Sequence, residues 1–211
     1  MSLVTDWGRW HEAYDDPDSV LSRRLGVVRT RIRVALAALG PGDRRILSLC
    51  AGDGRDLLPV LSELAPERRP VAVLVELDEH LAHNASSEST ARGLDTVRVL
   101  TGDAGDSSLY RDVLPVDLLM LCGIFGNITE ADIRATIDAV PAMLRPQGFV
   151  LWTRGNQDPE LRPTIRQWFT DMGAREISYD GEPEAYGVGV SQTRDTAPDR
   201  PLPDPLFTFV R

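Results

Sequence analysis

The sequence predicts a single α/β domain over residues 1–211, a three-layer sandwich with helices on both faces of a mostly parallel, seven-stranded sheet. Short apolar runs alternate with segments of helical periodicity, which is typical of parallel strands joined by crossover helices. The apolar runs are residues 46–49, 71–75, 96–100, 118–122 and 149–153, and the intervening or following helices are predicted at residues 55–64, 78–92, 106–114, 130–144 and 163–173. Alternating patterns at residues 175–179 and 186–193 add a C-terminal antiparallel hairpin, and residues 206–210 alternate in the same way.

An N-terminal helical segment is predicted over residues 1–40, ahead of the α/β core at residues 41–211. Four side chains of this segment recur at spacings of three and four and therefore share one helix face: Trp7, Trp10, His11 and Tyr14. A face with so many aromatic rings predicts that the helix docks on the core.

The first apolar run ends in a glycine-rich turn. Residues 46–56 read ILSLCAGDGRD, and Gly52 and Gly54 lie just before the predicted helix. A strand that turns tightly into a helix exposes backbone N–H groups at the helix N-terminus, where a polar or anionic ligand can bind. Glycine permits positive φ angles and lets a ligand approach the backbone closely. The turn is therefore the first candidate binding site.

A second candidate is Glu76, which ends the second apolar run about twenty residues after the glycine turn. Doubly wound folds place an acid there that binds the hydroxyl groups of a ribose. A dinucleotide-binding turn also has a third glycine three positions after Gly54, but this chain has Leu57 there. The pattern therefore disfavours NAD and FAD, and it favours a nucleoside ligand without a pyrophosphate.

The loops after the fourth and fifth strands are further candidates, because ligands of open α/β sheets bind outside the carboxyl ends of the strands. Residues 123–127 follow the fourth strand, and we expect Phe125 and Asn127 to contact a substrate there. The alternative for Asn127 is a purely structural role in the turn before the next helix. Arg154 follows the fifth strand in the same way.

Taken together, these motifs resemble those of the class I S-adenosylmethionine-dependent methyltransferases. The family's glycine motif has an acidic residue followed by three alternating glycines. Gly52 and Gly54 match the last two, while Cys50 replaces the first and Ser48 replaces the acid. The resemblance covers roughly residues 40–155 and implies binding of S-adenosyl-L-methionine by Ser48, Cys50, Ala51, Gly52, Asp53, Gly54, Glu76, Leu77, Gly102, Asp103, Ala104, Cys122 and Gly123.

The resemblance also implies roles for single residues and an activity. Glu76 matches the ribose-binding acid, and Asp103 matches the acid that faces the adenine amino group. The expected reaction is in-line transfer of the sulfonium methyl group to a small molecule, with S-adenosyl-L-homocysteine as product. The family's Asn/Asp-Pro-Pro-aromatic motif for amino-group acceptors is missing, since residues 122–125 read CGIF. The alternatives are a cofactor-binding protein without catalysis and methylation of a protein or RNA. Aminopropyltransferases share the fold, but the acidic and tyrosine gate residues expected for them are not evident in this sequence.

The catalytic residues stay open at this point. In the family, N-terminal helices often form a lid over cofactor and substrate, which gives the aromatic helix face a second interpretation. Candidate substrate or lid residues are Trp10, Tyr14, Phe125 and Arg154, and the catalytic candidates are His11 and Asn127. Cys50 and Cys122 are expected to be small buried thiols and not nucleophiles.

Two departures from the family motif lead to specific expectations. Serine at position 48 carries no charge, so we hypothesise that Asp53 or Asp56 supplies the charge that holds the methionine end of the cofactor. Cysteine in place of glycine at position 50 is expected to require a negative φ, because a side chain is strained in the left-handed region.

The overall composition limits the classes of molecule that the protein is expected to bind. The formal net charge is −9 and the pI about 4.8, which disfavours nucleic acid, because nucleic-acid binders need a basic surface. The arginines between residues 23 and 33 are expected to form a solvated helix face. No run approaches the ~20 apolar residues that cross a bilayer, no signal-peptide pattern opens the chain, and the two cysteines and the pair His80 and His83 do not predict a metal site. The expected setting is cytoplasmic, as a monomer or homodimer.

Overall fold

The computed structural model describes residues 14, 16–194 and 202–210. Helices and strands alternate along most of this range. In chain order they are α1 (Val20–Leu39), β1 (Arg45–Leu49), α2 (Leu58–Ser62), β2 (Val71–Glu76), α3 (Glu79–Ala91), β3 (Val97–Thr101), β4 (Val116–Leu121), α4 (Glu130–Met143), β5 (Leu144–Gly155), α5 (Arg162–Asp171), β6 (Arg175–Glu182) and β7 (Tyr186–Gln192), with short 3₁₀ turns at Pro66–Arg68 and Ser107–Tyr110.

The strands form one seven-stranded sheet in the order β3-β2-β1-β4-β5-β7-β6. The pairs among β1 to β5 are parallel, and β7 is antiparallel to both β5 and β6. The predicted fold class, including the antiparallel C-terminal hairpin, is therefore confirmed. The chain moves outward from β1 to β3 and then crosses back to β4, so the switch point lies between β1 and β4. In doubly wound folds the ligand crevice opens at the carboxyl ends of the strands at this point.

Apolar packing on both faces of the sheet makes the protein a three-layer structure. Val28, Ile32 and Ala35 of α1 pack on one face together with residues of α2 and α3. On the opposite face, α4 and α5 pack against a cluster that contains Trp152 and Phe169, whose rings stack with centroids 6.1 Å apart. Central strands such as β4 are buried on both faces and read as continuous apolar runs, as parallel strands usually do.

Two predicted helices are shorter than the sequence suggested. The helix predicted at residues 55–64 begins only at Leu58, because Gly54 to Leu57 form a turn in which the Leu57 amide donates to the Gly54 carbonyl. The helix predicted at residues 106–114 is a single 3₁₀ turn, Ser107–Tyr110, which the side chain of Asp106 caps.

The strand predicted at residues 206–210 is wrong. This segment makes one isolated antiparallel bridge, between Ile128 and Phe209. The Val210 amide donates to the Asn127 carbonyl as part of this bridge, and the Leu206 amide donates to the Gly105 carbonyl in the loop after β3. Leu206 and Phe207 are consecutive and both buried in the core, so burial along this segment does not alternate as it does in a strand.

The arginines of α1 are largely paired with acidic groups. Arg23 binds Glu182, Arg31 binds Asp180, and Arg33 binds Glu63. The expected solvated face is thus a set of ion pairs that join α1 to the sheet and to α2, which leaves little of its charge for a polyanion. Within the described residues, no helix is both long enough and apolar enough to span a membrane. Trp7, Trp10 and His11 lie outside the described residues.

Candidate active site

A cavity of about 550 Å³ opens at the carboxyl edge of the sheet. Its floor comes from residues that follow β1, β2 and β4 and from the end of β5, and it therefore spans the switch point between β1 and β4. Its walls come from Tyr14, from α1 and from Phe209 near the C-terminus. The position agrees with the general rule for ligand crevices in open α/β sheets.

The glycine turn forms one side of the cavity in a left-handed backbone conformation. Cys50, Gly52 and Gly54 have φ angles of 56°, 57° and 73°. A Cβ at Gly54 would lie 2.7 Å from Leu58 and 3.1 Å from Leu74, so both the angle and the packing require glycine there. The expectation that Cys50 has a negative φ is wrong. Its side chain is held in the left-handed region, which costs roughly 1–3 kcal/mol, while it packs against the core.

Glu76 ties this turn to the end of β2. One carboxylate oxygen accepts a hydrogen bond from the Gly52 amide at 2.7 Å, and the other accepts one from the Asp78 amide at 2.9 Å. Asp78 in turn caps α3 by accepting the amides of His80 and Leu81. The Glu76 carboxylate is thereby fixed in orientation, and it lines the cavity.

The two aspartates proposed to replace the missing charge have different surroundings. Asp53 accepts from the guanidinium of Arg55 through both oxygens, at 2.8 and 2.6 Å. Asp56 lines the cavity, and its Oδ1 atom is enclosed without a hydrogen-bond partner among the described residues. Burial raises the pKa of Asp56 from 3.8 to about 6, against the opposing effects of the Leu57 amide and Arg29.

A second set of contacts organises the loops after β4 and β5. The Gly123 amide donates to Thr153 Oγ1 at 3.0 Å, and Asn127 Nδ2 donates to the Gly123 carbonyl at 2.7 Å. The Asn127 amide also donates to the Ile124 carbonyl at 2.8 Å. Asn127 therefore serves its turn, which was the alternative from the sequence, and it also lines the cavity.

Arg154 joins these two loops from within. Its side chain is only 5% exposed, and its guanidinium donates to the backbone carbonyl of Phe125 and, at 3.0 Å, to that of Pro159. Part of Arg154 reaches the cavity wall. These contacts make it a clamp between the loops after β4 and β5.

Tyr14 closes the cavity beside α1. Its hydroxyl accepts a hydrogen bond from Arg24 at 2.9 Å, and the guanidinium of Arg55 lies 4.5 Å from the centre of its ring. Burial raises the pKa of Tyr14, an effect that Arg24 opposes. The hydroxyl is therefore protonated at neutral pH.

Both cysteines line the cavity as thiols. Burial raises the pKa of Cys50 and that of Cys122 well above their ordinary value, and nearby carboxylates raise them further. A thiolate nucleophile is disfavoured at both positions, since cysteine reacts as the thiolate.

Most residues suggested by the sequence meet at this cavity, but several do not. Those that line it are Cys50, Ala51, Gly52, Asp53, Glu76, Leu77, Ala104, Cys122, Gly123, Asn127, Tyr14 and Arg154. Among the others, Ser48 is buried in β1, Gly54 packs against Leu58, and Gly102 and Asp103 lie on the loop after β3, outside the lining. Phe125 is fully buried and packs against Trp152 in the core, so its side chain does not reach the cavity.

Several residues that line the cavity have little or no signal in the sequence: Arg24, Leu25, Val28, Leu81, Gly126, Thr153, Gly155, Gln157 and Phe209. Arg24 and Val28 are four residues apart and share one face of α1, but nothing local distinguishes that face from an ordinary core contact. Gln157 belongs to the loop after β5, where the rule on carboxyl ends could have found it.

Several solved structures share this fold, and some of them are methyltransferases. Magnesium protoporphyrin IX methyltransferase from Synechocystis PCC 6803, solved with bound SAM, is 14% identical with a TM-score of 0.66 over 90% of this chain and 92% of that one. An O-methyltransferase family protein from Burkholderia thailandensis is 16% identical with a TM-score of 0.63, over 82% of this chain and 55% of that one. A protein from Bordetella parapertussis, titled as a possible exported protein, is 16% identical with a TM-score of 0.64, over 82% and 68%.

At sequence identities this low, the similarity to these structures shows only that the fold is shared. No protein-family model and no curated protein matches the sequence, and the chain spans little more than half the length of the Burkholderia protein. The order of the strands, the antiparallel hairpin and the structural neighbours agree with one another. The chain has the fold of the class I S-adenosylmethionine-dependent methyltransferases.

Proposed function

We propose that this protein is an S-adenosylmethionine-dependent methyltransferase that acts on a small molecule. The observation that carries the proposal is the Glu76 carboxylate, which the Gly52 and Asp78 amides orient at the edge of a cavity at the switch point. Support also comes from the fold, which is shared with a methyltransferase solved with bound SAM.

The residues present fit the cofactor. A carboxylate has about four acceptor positions, and the Gly52 and Asp78 amides use two of those on Glu76, so two remain for the hydroxyl groups of a ribose. The left-handed turn at Gly52 carries no side chain between the backbone and the cavity. When bound, S-adenosylmethionine supplies a methyl group activated by its sulfonium.

Asp56 is the better candidate for holding the ammonium group of the cofactor's methionine end. Both oxygens of Asp53 already accept from Arg55, whereas Oδ1 of Asp56 is enclosed and accepts from none of the described residues. Asp56 lines the cavity, and an ammonium group placed beside its carboxylate would lower the pKa of the carboxyl group, since an opposite charge favours the ionised form. This assignment gives the chain an acid that Ser48 does not provide.

We propose a small molecule as the acceptor for two reasons. The cavity has a limited volume of about 550 Å³, and the protein has a net negative charge, with arginines of α1 paired to carboxylates. Leu25, Val28 and Phe209 give the cavity apolar walls. The protein would act mainly by excluding water and aligning the acceptor with the methyl group. A cytoplasmic location remains a prediction from the sequence.

The test is isothermal titration of the protein with S-adenosylmethionine, S-adenosylhomocysteine and NAD. We expect micromolar affinity for the first two and none for NAD. Glu76→Ala should weaken binding by about 1–3 kcal/mol, the range for hydrogen bonds to a charged group. Glu79→Ala, which removes an exposed carboxylate at the start of α3, is the matched control and should bind normally.

Two results would count against the proposal. If neither sulfur nucleoside binds, the cofactor assignment fails. If both bind but no S-adenosylhomocysteine forms with any acceptor, the protein is a cofactor-binding protein without transfer, which is the alternative from the sequence. Equal binding by the Glu76→Ala variant would remove Glu76 from the site while leaving the cofactor in place.

A further inference from the structure

We propose that residues 206–210, which follow the last strand of the sheet, form one wall of the compartment for the cofactor's base, with the Phe209 ring packed against that base. We call this segment the C-terminal strap. The inference rests on the proposed function and adds a binding residue to it. Phe209 is partly exposed and lines the cavity, so a ligand can reach its side chain.

The C-terminal strap is fixed to two loops at the carboxyl edge of the sheet. The Leu206 amide donates to the Gly105 carbonyl at 2.7 Å, in the loop after β3. Phe209 forms an antiparallel bridge with Ile128, in the loop after β4. The residues that precede these two anchor points both line the cavity: Ala104 and Asn127. The strap therefore joins two parts of the cavity wall that are far apart in the sequence.

The order of the strands shows what the strap passes on its way. β2 and β1 lie between β3 and β4 in the sheet, so a segment that joins the loops after β3 and β4 passes the ends of β2 and β1. Leu206 and Phe207 pack in the core on the same face of the sheet as α4. The strap therefore runs along that face beside the strand ends that carry Glu76 and the glycine turn.

The contact between the strap and the loop after β3 requires a glycine. A Cβ built on Gly105 would lie 2.3 Å from the backbone oxygen of Phe207. This neighbour is main chain, so it can move only if the strap itself is displaced. Gly105 does not have a positive φ. The close approach of the strap therefore excludes a side chain at this position, and the backbone conformation does not.

Contacts in the loop after β3 connect Phe209 to the ribose end of the cavity. The Gly102 amide donates to the Glu76 carbonyl at 2.9 Å, so the loop begins beside the proposed ribose-binding residue. Three residues later, Gly105 meets the strap, in which the rings of Phe207 and Phe209 are in edge-to-face contact with centroids 5.2 Å apart. A base is bonded directly to its ribose, so a nucleoside held at Glu76 brings its base to this part of the cavity.

The surfaces at this end of the cavity suit a flat aromatic group. Leu77, which follows Glu76, is 60% exposed although its side chain is large and apolar. It lines the cavity together with Ala104 and Phe209. Ligand pockets bury apolar and aromatic side chains of this kind against the ligand, and every base has a π face that packs well on an aromatic ring. The ring of Phe209 therefore offers the base an aromatic surface from outside the sheet.

The first test is isothermal titration with S-adenosylhomocysteine in the absence of any acceptor. Phe209→Ala should weaken binding by about fivefold to thirtyfold, the lower part of the range for a base packed on an aromatic side chain. Phe209→Tyr keeps the ring and should bind within about twofold of the wild type. The matched control is Val210→Ala, which removes an exposed apolar side chain of the same strap that does not line the cavity, and it should bind normally.

The second test observes the contact directly. In protein with labelled phenylalanine rings, isotope-filtered NMR spectra should show cross-peaks between the adenine protons of S-adenosylhomocysteine and one phenylalanine ring, and these should vanish in Phe209→Leu. A variant with a merely loosened strap would not explain such cross-peaks in the wild type.

A third variant acts on the strap from a distance. Gly105→Ala should weaken S-adenosylhomocysteine as Phe209→Ala does, although Gly105 does not line the cavity, because the new side chain displaces the strap. Gly26→Ala, at an exposed glycine of α1 with no heavy atom within 4 Å of the added Cβ, is its control and should have no effect.

Wild-type affinity in Phe209→Ala would overturn the proposal, as would a wild-type complex without cross-peaks from adenine to Phe209. In both cases the nucleoside still binds, so only the role of the C-terminal strap is lost. If the wild type does not bind S-adenosylhomocysteine at all, the proposed function fails and the base compartment fails with it.

Discussion

The two halves of the cavity are built in different ways. On the β1 and β2 side, the backbone itself makes the surface: three residues in the left-handed region form the turn, and one carboxylate at Glu76 holds it. On the β4 and β5 side, side chains make the surface, with Arg154 joining two loops and Gln157 inserted between two glycines. A surface made by backbone in the left-handed region favours glycines at fixed positions, so it is visible as a sequence motif. A surface made by side chains from separate loops has no such motif.

The two halves of the cavity therefore also differ in how a substitution destabilises them. The turn after β1 depends on conformations that few residues adopt, so substitutions there act through backbone strain. The loops after β4 and β5 depend on buried hydrogen bonds between distant residues, so substitutions there leave polar groups without partners. The two halves can therefore be perturbed separately.

The largest effect on the free energy of unfolding is expected from substitution of Arg154, the clamp between the loops after β4 and β5. Arg154→Leu should lower the free energy of unfolding by about 2–4 kcal/mol, because two carbonyls lose bonds to a buried charged group. Urea denaturation measures the loss, and Arg175→Leu, at an exposed arginine on β6 that donates to Gln192, is the control. Affinity for S-adenosylhomocysteine, measured in the folded variant, should change by less than about twofold. A large loss of that affinity would show that the halves are not independent.

Substitution of Asp56 is expected to have a smaller effect on the free energy of unfolding, and this effect depends on pH. Folding raises the pKa of this carboxyl from 3.8 to about 6, so the folded state binds more protons than the unfolded state between these values. Its cost to stability is absent below about pH 4, grows as the pH rises, and is complete above about pH 6. Asp56→Asn should therefore stabilise the ligand-free protein at pH 7.5 by at most about 3 kcal/mol, the value for a pKa shift of about two units, and by almost nothing at pH 4. Urea denaturation at the two pH values measures the difference.

Cofactor binding should show the opposite dependence at the same residue. If Asp56 holds the ammonium group, binding releases a proton below pH 6, and the affinity for S-adenosylhomocysteine should rise about tenfold from pH 5 to pH 7. The rise should disappear in Asp56→Asn, whose affinity is lower at pH 7. A variant with the pH profile of the wild type would exclude Asp56 from the ligand's charged end.

The smallest effect is expected from the strained residue of the turn. At most positions alanine is more favourable than glycine, but the φ of 56° at position 50 reverses this preference. Cys50→Gly should be more stable than Cys50→Ala by about 1 kcal/mol in urea denaturation. Both variants lack the thiol, so the comparison isolates the backbone. At Ala51, which has no positive φ, glycine should instead destabilise. An advantage of alanine at position 50 would mean that the left-handed conformation is not held in solution.

The sequence predicted the sheet well, and most of the residues that it suggested on the β1 and β2 side line the cavity. Apolar runs and glycine punctuation are local signals, and the acid at Glu76 has a fixed relation to the turn in doubly wound folds. The prediction for Cys50 failed because periodicity says nothing about the φ angle of one residue. The strand predicted at residues 206–210 failed because the consecutive residues Leu206 and Phe207 both pack into the core from an irregular segment.

The β4 and β5 side of the cavity was much harder to predict. Gln157 and Gly126 are thirty-one positions apart in the chain, and only the fold brings the amide against that glycine. Phe125 was expected to face a substrate because of its loop, yet the aromatic cluster around Trp152 takes it into the core. No local pattern distinguishes a side chain that enters the core from one that turns toward a cavity.

The walls of the cavity have a consequence for how its specificity could change. Tyr14 and Phe209 both line it, yet neither belongs to a strand of the sheet. Part of the cavity wall is therefore formed outside the sheet. Substitution of the Tyr14 and Phe209 side chains, with Leu206 and Phe207 kept in the core, would change the shape of the cavity and leave the sheet intact, which is a direct route to variants that bind a different range of ligands.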